Sequence, residues 1–252
     1  MKVRKMADDP AVAPEHLAKI IATDAALSAR LVQMANSVFF RGLSQVENVR
    51  TAIIRLGGVC VRNVVSSLAV SQIYQAKDVN AIKKDLHTLW VHGARVAAIS
   101  NVLAKRLTKL NPDEAMLAGL IHDIGTLPIL KRALDFPEIL EDRQALRRVI
   151  CYMNADIGKK ILEEWRFPDA LVIAVSEHGN LKRDNGADAD FADIVLIANL
   201  HSYMGQTNNK FANIDWNDVP ALRKLGLTPK QSIATMAEAQ AEIAELQKLL
   251  AA

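Results

Sequence analysis

The stretch NPDEAMLAGLIHDIG, residues 111–125, decides the fold of this chain. Its first residues predict the start of a helix, because Asn111 can cap the free backbone N–H groups, a proline follows at the first helical position, and Glu114 completes a capping box. The apolar residues that follow predict a buried helix, which ends in the polar pair His122-Asp123. We therefore expect this helix to place an imidazole and a carboxylate side by side next to the core.

The composition around this helix favours helices packed on helices. The chain has 252 residues, is 50% hydrophobic and only 5% aromatic, and its 11 glycines and 8 prolines lie mostly between apolar blocks. Apolar residues recur at helical spacing through most of the sequence, which predicts an all-α fold. We expect a two-lobed helical bundle, with short helices over residues 1–76 and a larger bundle over residues 77–252.

The second lobe is predicted to open with one long helix, residues 78–107. Shorter helices are predicted over 137–146, 147–164, 168–178 and 191–204. A second capping box at Thr228-Pro229-Lys230-Gln231 starts a final helix that runs to the C-terminus. Spacings of three and four give this helix a coiled-coil-like seam, formed by Met236, Ala239, Ile243, Leu246 and Leu250. We expect the seam to pack on its own domain, and a homodimer through residues 229–252 is the alternative.

Charge and cysteine usage exclude several classes of protein. The formal net charge of +3 comes from interspersed residues of both signs, so no nucleic-acid-binding patch is expected. No uncharged apolar stretch approaches the ~20 residues that span a bilayer, so no membrane association is expected. Cys60 and Cys151 lie in apolar helical contexts, which fits free thiols in a cytoplasmic protein. Ser37 lies where a helix ends, so we expect its hydroxyl to bond the local backbone rather than act as a nucleophile.

The pair His122-Asp123 is the main candidate for chemistry. A buried carboxylate is costly unless it is paired or bound to a metal, so the pair requires a cation or hydrogen-bond donors. A third ligand can come from His92, which follows Trp90 on the long helix. In the alternative reading His92 is a core histidine, and Asp123 accepts hydrogen bonds from backbone N–H groups or pairs with an arginine.

At this point the sequence resembles the HD superfamily of metal-dependent phosphohydrolases and, within it, the HDOD family of bacterial signalling domains. The resemblance covers most of the chain. Its segments are Ile20-Ile21-Ala22-Thr23-Asp24, Met34-Ala35-Asn36-Ser37 with Phe39-Phe40, Thr51-Ala52-Ile53-Ile54-Arg55-Leu56-Gly57, Leu89-Trp90-Val91-His92, and the block from Leu117 to Gly125, with Trp165, Pro168 and His178 beyond them. It implies that the second lobe is an HD-like helical bundle.

The resemblance also implies a metal-ligand set, and this sequence departs from it. HD hydrolases use a histidine, the His-Asp pair and a distal aspartate, and His92, His122 and Asp123 match the first three. The distal aspartate falls at Asn199, whose amide oxygen brings no negative charge. His178 is a weaker candidate ligand, and a hydrogen-bonded pair with Glu177 is favoured for it.

Two further positions lack the histidines that relatives carry, because Asn154 and Gly179 stand there. The related cyclic-dinucleotide phosphodiesterases have a lysine directly after the His-Asp-x-Gly motif, where this chain has Thr126, and a Gly-Tyr-Pro signature that this chain lacks. These departures disfavour the phosphodiesterase subclass.

The resemblance thus implies a regulatory or output domain of bacterial signal transduction, with signalling proteins as partners and little or no hydrolase activity. The alternative is a metal-dependent phosphohydrolase acting on a nucleotide or another phosphoester, for which Asp123 would be the catalytic carboxylate. Two imidazoles and a carboxylate suit one divalent ion of iron, nickel, manganese or zinc. The alternative expectation is that the site binds no metal.

Overall fold

The structure is a computed structural model that describes residues 18, 21–22, 25–37, 40, 45–74, 80–205, 211 and 213–251. Several residues of the predicted first lobe, among them Ile20, Asp24 and Phe39, lie outside the described residues. The chain divides into two units, Met1–Ile73 and Tyr74–Ala252. Every regular element among the described residues is helical, so the prediction of an all-α fold is confirmed.

The described part of the first unit contains helices α1 (Ala25–Asn36) and α2 (Val49–Tyr74). Asn36 closes α1, and its side chain exchanges two hydrogen bonds of 2.7 Å with the backbone of Val46. Gly57 interrupts α2 with φ 76° and ψ 161°, a conformation that glycine adopts without strain. Ser37 Oγ donates to the Met34 carbonyl at 2.8 Å, which confirms its local structural role.

The second unit consists of helices joined mostly by short turns. In chain order they are a 3-10 turn (Asn80–Ile82), α3 (Lys83–Leu107), α4 (Pro112–Ile121), α5 (Thr126–Ala133), α6 (Pro137–Glu141), α7 (Arg143–Glu164), α8 (Asp169–Glu177), α9 (Phe191–Ser202), a 3-10 turn (Trp216–Asp218), α10 (Pro220–Lys224), α11 (Pro229–Glu238) and α12 (Gln240–Ala251). No helix in the described ranges combines the length and the apolar content that crossing a bilayer requires.

Helices α3 and α4 form the centre of this unit, and α9 packs against both. As predicted, Asn111 caps α4, because its Oδ1 accepts from the N–H groups of Asp113 at 2.9 Å and Glu114 at 3.2 Å. The two helices approach closely through a glycine on each. A Cβ on Gly119 would lie 2.8 Å from Ala97 Cα, and one on Gly93 would lie 2.9 Å from the Leu120 carbonyl oxygen.

Several helix boundaries differ from those predicted, and the long helix predicted over 78–107 begins at Lys83 after a 3-10 turn. The predicted helix 137–146 ends at Glu141, because the Asp142 side chain accepts from the N–H groups of Gln144 at 3.0 Å and Ala145 at 2.9 Å and so caps α7. The final helix is broken at Ala239, which separates α11 from α12. The short helices α5 and α10 have too few residues to give a periodic signal, and the sequence did not predict them.

The C-terminal seam packs against another helix of the same chain. Leu246 and Leu250 are buried, and α12 packs against α3, where Glu242 pairs with Arg106 at 3.0 Å and Lys105 at 3.3 Å. This is the intramolecular packing that the sequence favoured. A homodimer through residues 229–252 stays a prediction.

A buried ion cluster anchors the loop between α8 and α9. The Arg183 guanidinium is buried and donates to Asp190 Oδ1 at 2.9 Å, and its Nη1 lies 3.0 Å from Asp193 Oδ1. Lys224 on α10 reaches the other oxygen of Asp193 at 3.4 Å. Both cations have carboxylate partners, as buried charges require, and the cluster holds the start of α9 in place.

Helix α11 docks onto α9 through a buried polar pair. His201 Nε2 lies 2.7 Å from Ser232 Oγ, and the imidazole packs edge-on against Trp216 with 4.9 Å between the ring centroids. Burial, followed by the positive charge of Arg95, lowers the pKa of His201 from 6.5 to about 4. The imidazole is therefore neutral in the folded protein at neutral pH.

The close approach of α3 and α4 predicts the effect of Gly119→Ala. The added methyl group would overlap the backbone of α3, which no side-chain rotation relieves, and we expect a loss of about 1–3 kcal/mol in the free energy of unfolding. Gly179→Ala is the matched control, because a Cβ there meets nothing within 4 Å. Thermal unfolding should show a lower Tm for Gly119→Ala than for the control, and equal Tm values would contradict the proposed packing.

The buried imidazole of His201 predicts acid sensitivity. Its contribution to stability is complete above pH 6.5 and is lost towards pH 4, because in that window the unfolded chain binds a proton that the folded chain excludes. Between pH 7 and 5 we expect wild type to lose about 2 kcal/mol more unfolding free energy than His201→Gln. Urea unfolding at both pH values measures this difference, and parallel losses would refute the assignment.

Candidate metal centre

His92, within α3, lies close to His122 and Asp123, which directly follow the end of α4. Asp123 Oδ2 lies 3.2 Å from His122 Nε2 and 3.7 Å from His92 Nε2. One ligand atom from each residue lies within 4.8 Å of the other two. Atoms that bind one divalent ion at about 2.1 Å lie about 3–4 Å from each other, so the arrangement fits a shared ion. These are the first three ligands that the sequence predicts.

The local hydrogen bonds of His122 leave Nε2 as a ligand atom. Nδ1 lies 2.7 Å from the Gly119 carbonyl oxygen, which only accepts, so Nδ1 carries the proton. Nε2 is buried and, despite its 3.2 Å distance from Asp123 Oδ2, lacks the geometry of a hydrogen bond to any described residue. A buried nitrogen lone pair beside a carboxylate is the arrangement that a metal ion completes.

His178 approaches the same carboxylate from the end of α8. Its Nδ1 donates to the Val175 carbonyl oxygen at 2.7 Å, and its Nε2 lies 3.4 Å from Asp123 Oδ1. The sequence favoured a hydrogen-bonded pair with Glu177, which is wrong: Glu177 Oε2 instead accepts from Asn180 Nδ2 at 3.1 Å. The helix ends after residue 177, and its last turn directs the imidazole into the site.

The environment of Asp123 holds its carboxyl group ionised. Burial raises the pKa of this carboxyl, but its electrostatic interactions with the His122 and His178 imidazoles outweigh that effect and hold the pKa well below its usual range. The side chain is 18% exposed, so the carboxylate retains access from solvent. The site therefore contains a negative charge surrounded by imidazoles.

Asn154 donates a further hydrogen bond to this carboxylate and itself accepts one from Thr126. Asn154 Nδ2 donates to Asp123 Oδ1 at 2.7 Å, and Thr126 Oγ1 donates to Asn154 Oδ1 at 3.2 Å. Asn154 lies on α7 and Thr126 begins α5. The sequence singled out both positions for what they lack compared with relatives, and it did not predict that they contact each other.

The approach of α7 to the His-Asp turn depends on Gly125. A Cβ at this position would overlap the backbone oxygen of Asn154 and lie 2.7 Å from the nitrogen of Gly158. Because a side chain there would displace α7, the glycine is what allows the amide of Asn154 to reach Asp123.

Tyr203 forms part of the wall of the site. Its ring lies 5.1 Å from that of His92, centroid to centroid, and Phe211 packs edge-on against its other side at 5.4 Å. Burial, and then the negative charge of Asp123, raise the pKa of the Tyr203 hydroxyl, so this hydroxyl remains protonated. The sequence did not single out Tyr203, although its position one turn after Asn199 was a usable signal.

The structure places Asn199 on α9, buried, with Ser202 Oγ donating to its backbone oxygen at 2.7 Å. Residues four apart share a helix face, so Asn199 and Tyr203 lie on the same side of α9. No described contact joins the Asn199 amide to the histidines, and its role as a ligand stays a prediction.

The donor set fits a single ion. Two imidazoles and one carboxylate suit iron, nickel, manganese or zinc better than calcium or magnesium, which prefer oxygen ligands. A buried His122 Nε2 without a hydrogen bond supports the same conclusion. Among the described residues, this trio is the metal-compatible group of His, Cys, Asp and Glu side chains.

Comparisons with known proteins agree with this architecture. The family model described as “HDOD domain” matches residues 1–181. A crystal structure named “Putative metal-dependent phosphohydrolase” from Shewanella amazonensis SB2B is 24% identical, with a TM-score of 0.82 over 99% of this chain and 89% of that chain. A second, named “Putative signal transduction protein” from Marinobacter aquaeolei VT8, is 18% identical, with a TM-score of 0.69 over 99% and 58% of the two chains. These likenesses establish the fold.

One curated relative has a named activity. It is the cyclic di-GMP phosphodiesterase PA4108 of Pseudomonas aeruginosa, 29% identical over 148 residues, which are 54% of this chain. The chain spans 40% and 34% of the lengths of the two curated relatives reported for it, so the activity of a whole relative does not transfer directly.

The geometry predicts metal-dependent stabilisation. Adding manganese, nickel or zinc to metal-free protein should raise its Tm, because an ion that binds the folded state at 100 times its Kd contributes about 2.7 kcal/mol. Asp123→Ala removes the carboxylate ligand, and its Tm should not respond. Magnesium is the matched control ion. If manganese, nickel or zinc raised the Tm of wild type and of Asp123→Ala equally, the ion would bind at a site other than this centre.

Proposed function

Because this chain belongs to the HDOD domain family, we propose that it is a regulatory module of bacterial signal transduction whose centre binds one divalent metal ion and has little or no hydrolase activity. The proposal combines the family with the ligand set of the site. Family membership supports a signalling role, and the geometry supports metal binding with limited capacity for catalysis.

The observation that carries the proposal is the single carboxylate at the centre. Both oxygens of Asp123 are engaged: Oδ2 faces His92 and His122, and Oδ1 accepts from Asn154 and faces His178. Phosphoester hydrolysis often uses two ions about 4 Å apart to hold the attacking and leaving oxygens. The amide of Asn154 occupies the oxygen that a second ion would need, and it contributes no charge.

A bound ion would supply Lewis-acid chemistry and lower the pKa of a bound water. The chain's own residues orient the imidazole rings and limit the access of water. His122 Nδ1 and His178 Nδ1 are each tied to a carbonyl oxygen one turn earlier, which fixes both rings. Tyr203 and Phe211 shield one side of His92 from water.

The alternative is a metal-dependent phosphohydrolase acting on a nucleotide or another phosphoester. The relative with cyclic di-GMP phosphodiesterase activity favours this alternative. Thr126 in place of a lysine and the absence of a Gly-Tyr-Pro segment oppose the cyclic-dinucleotide version of it. Asp123 would then be the catalytic carboxylate.

We also propose that the partners of the chain are signalling proteins and that it works in the cytoplasm. Cys151 is an exposed free thiol, as expected in a reducing compartment.

Elemental analysis of the purified, untagged protein tests the metal centre. We expect about one iron, nickel, manganese or zinc ion per chain in wild type and none in Asp123→Ala, because that variant lacks the charged ligand. Wild type without metal would contradict the proposed centre.

Activity distinguishes the two functions. A panel of nucleotides and cyclic dinucleotides is incubated with wild type and added manganese or nickel, with Asp123→Ala as the control. We expect no turnover that distinguishes the two proteins. Hydrolysis by wild type that disappears in Asp123→Ala would establish the phosphohydrolase alternative.

A further inference from the structure

The two oxygens of Asp123 have different surroundings. Oδ2 lies 3.2 Å from His122 Nε2 and 3.7 Å from His92 Nε2, the two nitrogens that could share an ion with it. Oδ1 points the other way and accepts from Asn154 Nδ2 at 2.7 Å. The carboxylate therefore has one side open to a cation and one side held by a hydrogen-bond donor.

Donor and acceptor rules determine the direction of every proton in this chain of contacts. An ionised carboxylate only accepts, so the Asn154 amide must turn its NH2 group towards Asp123. Its carbonyl oxygen then faces Thr126, and because that oxygen also only accepts, the Thr126 hydroxyl must donate to it at 3.2 Å. The carboxylate thus fixes which end of the amide faces it, and the Thr126 hydroxyl holds the other end of the amide in place.

We propose that Asn154, held in place by Thr126, fixes the carboxylate of Asp123 with Oδ2 towards the metal and limits the centre to one ion. This inference rests on the proposed function, since it assumes that His92, His122 and Asp123 bind metal. Asn154 and Thr126 are positioning residues in this scheme and are not ligands themselves.

The physical basis is the partial positive charge of the amide NH2 group. At 2.7 Å it neutralises part of the charge on Oδ1, and it would repel a cation placed beside that oxygen. Both residues are buried, at 6% exposed for Asn154 and 4% for Thr126, so water does not compete for these hydrogen bonds. His178 Nε2, 3.4 Å from Oδ1, is then the remaining potential ligand on this side.

The first test compares metal affinity in two variants. Asn154→Leu removes the donor, and we expect manganese or nickel to bind about 10–100-fold more weakly, as is typical for the loss of a residue that orients a ligand. Thr126→Val keeps the shape of the side chain but removes the hydroxyl, so the Asn154 oxygen loses its donor and the amide is held less firmly, and we expect binding about tenfold weaker. Thr126→Ser keeps the hydroxyl and should bind like wild type.

The second test measures stoichiometry, which general destabilisation does not raise. Asn154→Asp keeps an acceptor for Thr126 and replaces the donor by a second carboxylate beside Oδ1 and His178. Equilibrium dialysis with excess manganese, followed by elemental analysis, should give one ion in wild type and two in Asn154→Asp. One ion in Asn154→Asp would overturn the claim that Asn154 limits the centre.

The outcomes separate this inference from the proposed function. If wild type binds one ion and both Asn154→Leu and Thr126→Val bind it equally well, the inference fails and the metal centre stands. If wild type binds no ion, both fail. If Asn154→Leu does not fold, the comparison of Thr126→Val with Thr126→Ser decides, because both are small changes at one buried position.

Discussion

A negative charge beside a protein core requires donors or cations around it, and Asp123 imposes this requirement on the second unit. The cost of an unpaired buried carboxylate is large enough that the chain must bring compensating groups to it from several elements. Histidines arrive from α3, α4 and α8, and an amide arrives from α7. The helices around Asp123 are thus held in register by one electrostatic constraint.

Close packing makes this convergence possible. Gly93 and Gly119 let α3 and α4 approach until their backbones touch, which sets His92 beside His122. Gly125 does the same for α7, so that Asn154 reaches Asp123. Glycine is required at these points because a side chain would separate the elements by more than a hydrogen bond or a metal–ligand bond tolerates.

The candidate centre places two imidazoles around a single carboxylate, as a metal site requires. His122 has a ring fixed by its own backbone and a buried nitrogen directed at a carboxylate. Besides the histidines, Asp123 contacts the Asn154 amide, which in turn accepts a hydrogen bond from the Thr126 hydroxyl. These neutral groups stabilise the carboxylate but bring no charge that would help to hold a second cation, which is the basis of the binding role proposed above.

The sequence by itself determined the all-α class and the capped start of α4, because helix periodicity and capping are local properties of the chain, and it predicted His92, His122 and Asp123 as candidate metal ligands. It also located the departures at Asn154 and Thr126. Only the tertiary structure decided what those residues do, since Asn154 and Asp123 are 31 positions apart and an amide donates or accepts according to the partner that packing provides. The same reason explains why His178 lies beside Asp123 and not, as predicted, beside Glu177. Which of these two carboxylates the imidazole approaches depends on the orientation of α8 in the bundle, which no local pattern encodes.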